Sequence, residues 1–74
     1  MMNRPRKEEI ESLKKEFPKG TRVELVWMDD IQAPDPGALG TVMGVDDMGD
    51  LLMRWDNGSS LKVIYGEDSV RKVQ

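Results

Sequence analysis

From Arg22 onward the chain is built of short runs in which apolar and polar positions alternate. Val23, Leu25 and Trp27 alternate with Arg22, Glu24 and Val26, and Leu51, Met53 and Trp55 alternate with Leu52 and Arg54. A period of two turns one set of side chains inward and the other outward, as a half-buried strand requires. The pattern predicts strands over 21–28, 40–45, 51–55, 60–64 and 69–73. In the second run Val42 and Val45 stand three apart, which strict alternation forbids, so a bulge is expected at Gly44. Asn57-Gly58, with Trp55 before it and Leu61 and Val63 after it, predicts a hairpin closed by a two-residue type I′ turn, since both residues tolerate positive φ. Asp46-Asp47-Met48-Gly49-Asp50 predicts a second tight turn, and Tyr65-Gly66-Glu67-Asp68 a single helical turn or bend. Ala33-Pro34-Asp35-Pro36-Gly37 excludes a central strand, which makes 29–37 a loop.

The N-terminal third follows a different period. Ile10, Leu13 and Phe17 recur at helical spacing on a narrow stripe, Glu8, Glu9 and Glu11 come early, and Lys14 and Lys15 come late. Acids first and bases last suit the helix dipole, and Glu11 to Lys15 is an i,i+4 pair. Pro5 fits a first helical turn, with Asn3 or a neighbour as cap, and Pro18 and Gly20 end the helix. The expected division is a disordered terminus over 1–4, a helix over 5–17, and a β domain over 18–74. The stripe either docks on that domain or pairs with a second copy, since an isolated helix this short is marginal.

Five short strands, one long first loop, two tight hairpins and a bend before the last strand match a mainly β architecture. The expected form is a small five-stranded SH3-like barrel with one N-terminal α-helix. Closing the sheet would hide its edges; the alternative is an open five-stranded sheet with the helix on one face. With 74 residues there is room for one domain and a marginal core.

Composition narrows the chemistry. The chain has no Cys and no His, which removes thiol catalysis, imidazole bases and the commonest metal ligands. No run approaches a membrane span and no apolar leader follows the N-terminus, so a cytoplasmic protein without a cofactor is expected. Residues 1–20 hold six bases and four acids, whereas 21–74 hold five bases and ten acids. Seven Asp residues lie between Asp29 and Asp56 against one base, Arg54. Such a face repels phosphate and favours basic or neutral partners.

Several motifs together resemble a known family. Pro18-Lys19-Gly20-Thr21-Arg22-Val23, Met28-Asp29-Asp30, Ala33-Pro34, Gly40-Thr41-Val42, Val45-Asp46-Asp47-Met48-Gly49 and Trp55-Asp56-Asn57-Gly58-Ser59-Ser60-Leu61 resemble the domain of unknown function 4314 family, small proteins of bacteria, phages and mobile elements. The likeness runs over residues 17–70 in order and spacing. Gly-Thr-Val and Trp-Asp-Asn-Gly are also similar to SH3-like modules of the mind-bomb type. The resemblance implies a fold and no activity. It departs at Ile31 and Gln32, where the family tends to carry Pro and an aromatic, and at Trp27 and Leu39, where it more often has polar residues. That pattern would turn Trp27 to solvent with Met28 inward, whereas plain alternation turns Trp27 inward.

An SH3-like barrel implies peptide binding between the first long loop, the second turn and the bend before the last strand. The candidate surface is therefore Trp27, Pro34, Pro36 and Tyr65 for apolar contact, with Asp29, Asp30, Asp46 and Asp47 selecting Arg or Lys. The competing reading makes the aspartates turn formers and Tyr65, like Trp55, a core residue. A cation held by Asp46, Asp47 and Asp50 lacks the alternating ligands and distal Glu of an EF-hand loop. The expected function is non-enzymatic binding of a protein or peptide, by a monomer or a weak homodimer joined through the helix. The alternative is a nucleic-acid-binding barrel using Arg4, Arg6, Lys7, Lys14, Lys15 and Lys19, with Arg71 and Lys72. Interleaved Glu residues dilute that patch, and Phe17 is its only aromatic.

Overall fold

A computed structural model describes residues 5–73; the terminus expected to be disordered, 1–4, lies outside the described residues. The described residues form one helix, α1 (Lys7–Glu16), and four strands, β1 (Arg22–Trp27), β2 (Leu39–Val45), β3 (Leu51–Trp55) and β4 (Ser69–Lys72). All neighbours pair antiparallel in the order β3-β2-β1-β4. The protein is thus mainly β, but its sheet is open and has four strands. The end strands β3 and β4 do not meet, so the expected five-stranded closed barrel is not what the structure shows.

The missing strand has a local cause. The segment expected to form it, 60–64, keeps a single bridge, Leu51 with Val63. The indole of Trp55 takes the carbonyl of Leu61 through Nε1 at 2.9 Å, and the Leu61 N–H goes to Ser59 Oγ at 3.2 Å. Both backbone groups of Leu61 are thereby diverted from the ladder.

The two hairpin turns share one design, and neither is type I′. Gly49 N–H donates to Asp46 O and Asp46 N–H to Asp50 O, both at 3.0 Å; Gly58 N–H donates to Trp55 O and Trp55 N–H to Ser59 O, both at 2.9 Å. Positive φ falls on Gly49 (82°) and Gly58 (94°), and on no non-glycine residue among those described. Each is a three-residue loop, a type I turn ending in a left-handed glycine. Asn57 needs no positive φ; its Oδ1 accepts Ser59 N–H at 2.9 Å.

The core gathers on one face of the sheet: Val23, Leu25, Met28, Val42, Leu51, Met53, Trp55 and Val63. Trp55 is 1% exposed and lies across β2 at Gly40, where a Cβ would meet Trp55 Cε3 at 2.6 Å and Met53 Cε at 2.9 Å. The β2–β3 register shifts between Val42 and Gly44, the expected bulge. A second shift, between Leu25 and Trp27 on the β1–β4 side, lets Met28 take the next inward position.

Helix α1 starts two residues later than expected, with Arg6 as N-cap; Arg6 N–H donates to Glu9 Oε1 at 2.7 Å. None of its residues is fully buried. Phe17, at the C-cap, packs on the core, and Lys72 Nζ sits 5.6 Å from its ring centroid. The stripe therefore docks within its own chain through its C-terminal end.

Candidate functional site

Two carboxylates assemble one end of the sheet. Asp68 Oδ1 accepts Asp29 N–H at 3.1 Å while its Oδ2 accepts Ile64 N–H at 2.8 Å, which ties the 65–68 bend to the exit of β1. Asp50, 9% exposed, accepts Tyr65 N–H at 2.8 Å and ties the same bend to the β2–β3 turn. A backbone N–H bound to a carboxylate is a charge-assisted contact, stronger than a neutral one. The start of the first loop, the Asp46–Asp50 turn and the bend are thereby tied together at one end of the sheet. Of the residues that do it, Asp68 was not among the candidates and Asp50 was weighed only as a cation ligand. Their signal was an Asp at each end of an apolar-poor turn, which composition does not distinguish from ordinary turn chemistry.

Trp27 is 57% exposed and Val26 stands beside it at 48%. The β1 register shift is the reason: after Leu25 two successive side chains face solvent and Met28 turns in. Ile31, four residues on, is fully exposed. Alternation set Val26 outward with Arg22 and Glu24 but did not single it out as a contact residue, and Ile31, a loop position, carries no mark of exposure in the sequence.

The other candidates divide. Asp29 and Asp30 are exposed next to Trp27; Asp30 Oδ1 accepts Gln32 N–H at 2.7 Å, and Asp29 offers only its backbone N–H to Asp68. Pro36 is exposed, whereas Pro34 is buried and presents no surface. Asp47 is exposed. Asp46 is occupied: Oδ1 accepts Met48 N–H at 2.9 Å and Asp50 N–H at 3.0 Å, and Oδ2 pairs with Lys62 at 3.1 Å. Burial pushes the Asp46 carboxyl up, but the Asp50 amide, Lys62 and the Met48 amide together hold it below the usual carboxylate range. Tyr65 is half-buried, and its hydroxyl donates to Glu9 Oε2 at 2.9 Å, so α1 covers it. That bond to a carboxylate raises the Tyr65 pKa, while Glu9 is held down by the Arg6 N–H first and the Tyr65 hydroxyl second.

Two ion pairs brace the outward face of the sheet. Arg22 meets Asp56 with two hydrogen bonds, at 2.8 and 2.7 Å, and also donates to Thr41 Oγ1 at 2.9 Å. Arg71 pairs with Glu24 across β1 and β4. The Arg22 hydrogen bonds hold the Asp56 carboxyl down. Of the basic residues set out for nucleic acid, Arg71 and Lys72 are thus engaged with Glu24 and Phe17; Arg6, Lys7, Lys14, Lys15 and Lys19 are exposed among glutamates, and Arg4 lies outside the described residues. Among the described residues no three acidic side chains gather to hold a metal, and no helix is long and apolar enough to cross a membrane.

A family model described as "Domain of unknown function (DUF4314)" matches residues 6–73. No curated protein and no solved structure matches the chain.

Proposed function

The chain belongs to that family, defined by sequence and not by an activity, and from this premise we propose a non-enzymatic module that docks a partner protein or peptide at the Trp27 end of the sheet. One observation carries the reading: a bulge in β1 holds Trp27 57% exposed, next to exposed Val26 and in a stretch ending at Ile31. Exposed aromatic and aliphatic side chains grouped this way are expensive to leave in water and are typical anchors of an interface. Asp29 and Asp30 flank the group without an ion-pair partner among the described residues. A partner segment with apolar residues beside Arg or Lys complements that pattern. Asp47, Pro36 and the rim of Tyr65 extend the same surface in this reading, which leaves Pro34 and Asp46 as its scaffold.

We read the fold as an opened relative of the SH3-like barrel. The Leu51–Val63 bridge lies where such a barrel has its fourth strand, and a bend precedes the last strand in both. The setting this reading carries is cytoplasmic, in a bacterium or its mobile elements.

The test uses the ¹⁵N-labelled chain with a peptide set varied in Arg, Lys and apolar residues. Docking moves the Trp27 indole and the Asp29 and Asp30 amide signals, leaves the Trp55 indole in place, and is lost in Trp27→Ala. Shifts confined to α1, with none at Trp27, overturn it.

A further inference from the structure

Among the described residues, only one of the two sheet edges is covered by the chain itself. Residues 59–63 lie along β3, paired with it at Ser59 and Val63. Nothing lies along the outer side of β4. Val73 N–H donates to Arg22 O at 3.0 Å, and the register sets Lys72 opposite Val23, Arg71 opposite Glu24 and Val70 opposite Leu25. Bonded and unbonded pairs take turns in an antiparallel ladder, so Arg71 bonds to Glu24 while Val70 and Lys72 turn their N–H and C=O groups outward. The far side of β1 agrees: Leu25 gives its N–H to Ala38 O and takes Gly37 N–H, both at 2.8 Å. Among the described residues nothing takes the outward groups of Val70 or Lys72, and β1 is the only described helix or strand that approaches β4.

The surroundings of that edge select what can join it. Val70 packs against the core, and on its side of the sheet a recess of about 190 Å³ is lined by Leu13, Phe17, Val63 and Val70 among others. Asp68, the one charged residue of the lining, has both oxygens on backbone N–H groups. On the opposite face Arg71 meets Glu24 through Nη2, which leaves its guanidinium with N–H donors to spare. Lys72 lies over the Phe17 ring, and Lys14, Lys15 and Lys19 flank Phe17 along the chain against Glu16 alone. None of these four lysines has an ion pair among the described residues.

We propose that an extended acidic segment of a partner protein adds to this edge as an antiparallel strand. Its residues opposite Val70 and Lys72 exchange backbone hydrogen bonds with them, as strand addition requires. The side chain opposite Val70 falls on the recess side and is apolar. The one opposite Arg71 falls on the other face and is a carboxylate that meets the guanidinium. Nucleic acid answers the charges but lacks the alternating donors and acceptors of a strand. A second copy of this chain fits poorly. The register that uses the outward groups of both residues in both copies sets Arg71 directly opposite Arg71, and like charges so placed repel. Arg71 and Lys72 thus keep copies apart, as bases on edge strands do, while admitting an acid. The edge is separate from the Trp27 surface and stands or falls without it.

Amide exchange and amide shifts of the ¹⁵N-labelled full chain test this. In the free protein the Val70 and Lys72 amides exchange faster than those of Arg71 and Val73. The probe acetyl-Glu-Val-Glu-Val-Glu-amide then slows both and shifts them saturably, in the wild type and in Trp27→Ala alike. Methylating both valine nitrogens removes two hydrogen bonds and weakens binding about tenfold or more. Methylating the central Glu nitrogen, on the outer side of the added strand, changes it little. Replacing the three Glu by Lys weakens it about tenfold or more. The proposal is overturned if the free Val70 and Lys72 amides are already as protected as their neighbours, or if the valine-methylated or Lys peptide binds as tightly. It also fails if a single-stranded oligonucleotide binds more tightly at the same amides, if raising the protein concentration alone protects them, or if nothing saturates.

Discussion

The two tryptophans are one sequence pattern with opposite outcomes. Trp55 is 1% exposed and hydrogen-bonded through its indole, whereas Trp27 is 57% exposed. Removing them should separate cleanly. Trp27→Ala, at a solvent-facing position, is expected to change stability by no more than about 0.5 kcal/mol in urea unfolding. Trp55→Phe keeps much of the apolar bulk but strips the Leu61 carbonyl of its donor, a loss of about 1–3 kcal/mol. The same variant leaves Trp27 as the sole emitter, and its fluorescence should be red-shifted and readily quenched by acrylamide. Gly40 is the counterpart of Trp55. A methyl group there would lie 2.6 Å from the indole and cannot be relieved by a flexible chain end, since that indole is itself held. Gly40→Ala should cost about 1–3 kcal/mol by overpacking, read from the denaturation midpoint.

At the scale of elements, side-chain carboxylates do much of the joining. Asp46 caps its own turn and pairs with Lys62 from the segment beyond β3, while Asp50 and Asp68 fasten the bend. Because Asp46 keeps a folded pKa below the unfolded value of about 3.9, its stabilising effect is complete above roughly pH 4 and fades as pH falls through the lower folded value. Asp46→Asn should therefore flatten the acid limb of the stability–pH profile below about pH 4 and leave the neutral region's slope unchanged. Helix α1 is attached at its two ends, by Phe17 on the core and by the Tyr65–Glu9 hydrogen bond. These ends are unequal. Tyr65→Phe removes an exposed bond and should leave the urea midpoint nearly unchanged, whereas Phe17→Ala removes a half-buried ring and should cost about 2 kcal/mol, with fraying of the helix visible by circular dichroism.

The whole molecule is a thin body, 31 × 28 × 16 Å, with a radius of gyration of 11.5 Å. Its two central strands, β1 and β2, are flanked on both sides, and β3 and β4 are the edges. Native-state hydrogen exchange should follow that order: the slowest amides in β1 and β2, the fastest in residues 60–62 and in the first loop. An edge left with one open rung is a liability for a protein this small. Here residues 59–63 cover that edge, paired with it at Ser59 and Val63 and diverted at Leu61, which keeps a second chain from adding there.

Much of this was legible in advance, and the division follows from the range of the forces involved. Period-two alternation determined which faces of β1 and β3 turn inward, three-residue spacing in β2 required a bulge, and Gly49 and Gly58 had to end their turns, because neighbours along the chain decide those matters. Candidate surface residues were legible only in kind: Asp beside Gly reads the same whether it caps a turn, as Asp46 does, or stands free, as Asp47 does. The direction of Trp27, the burial of Pro34 and the opening of the sheet were settled only by tertiary structure. Trp27 faces water because β4, forty-two residues later, pairs out of step with β1 at that point. The strand expected over 60–64 is reduced to one bridge because an indole six residues away takes one of its carbonyls, a side-chain bond that alternation does not record. Local rules state what each residue prefers; contacts between distant segments choose which preference is met.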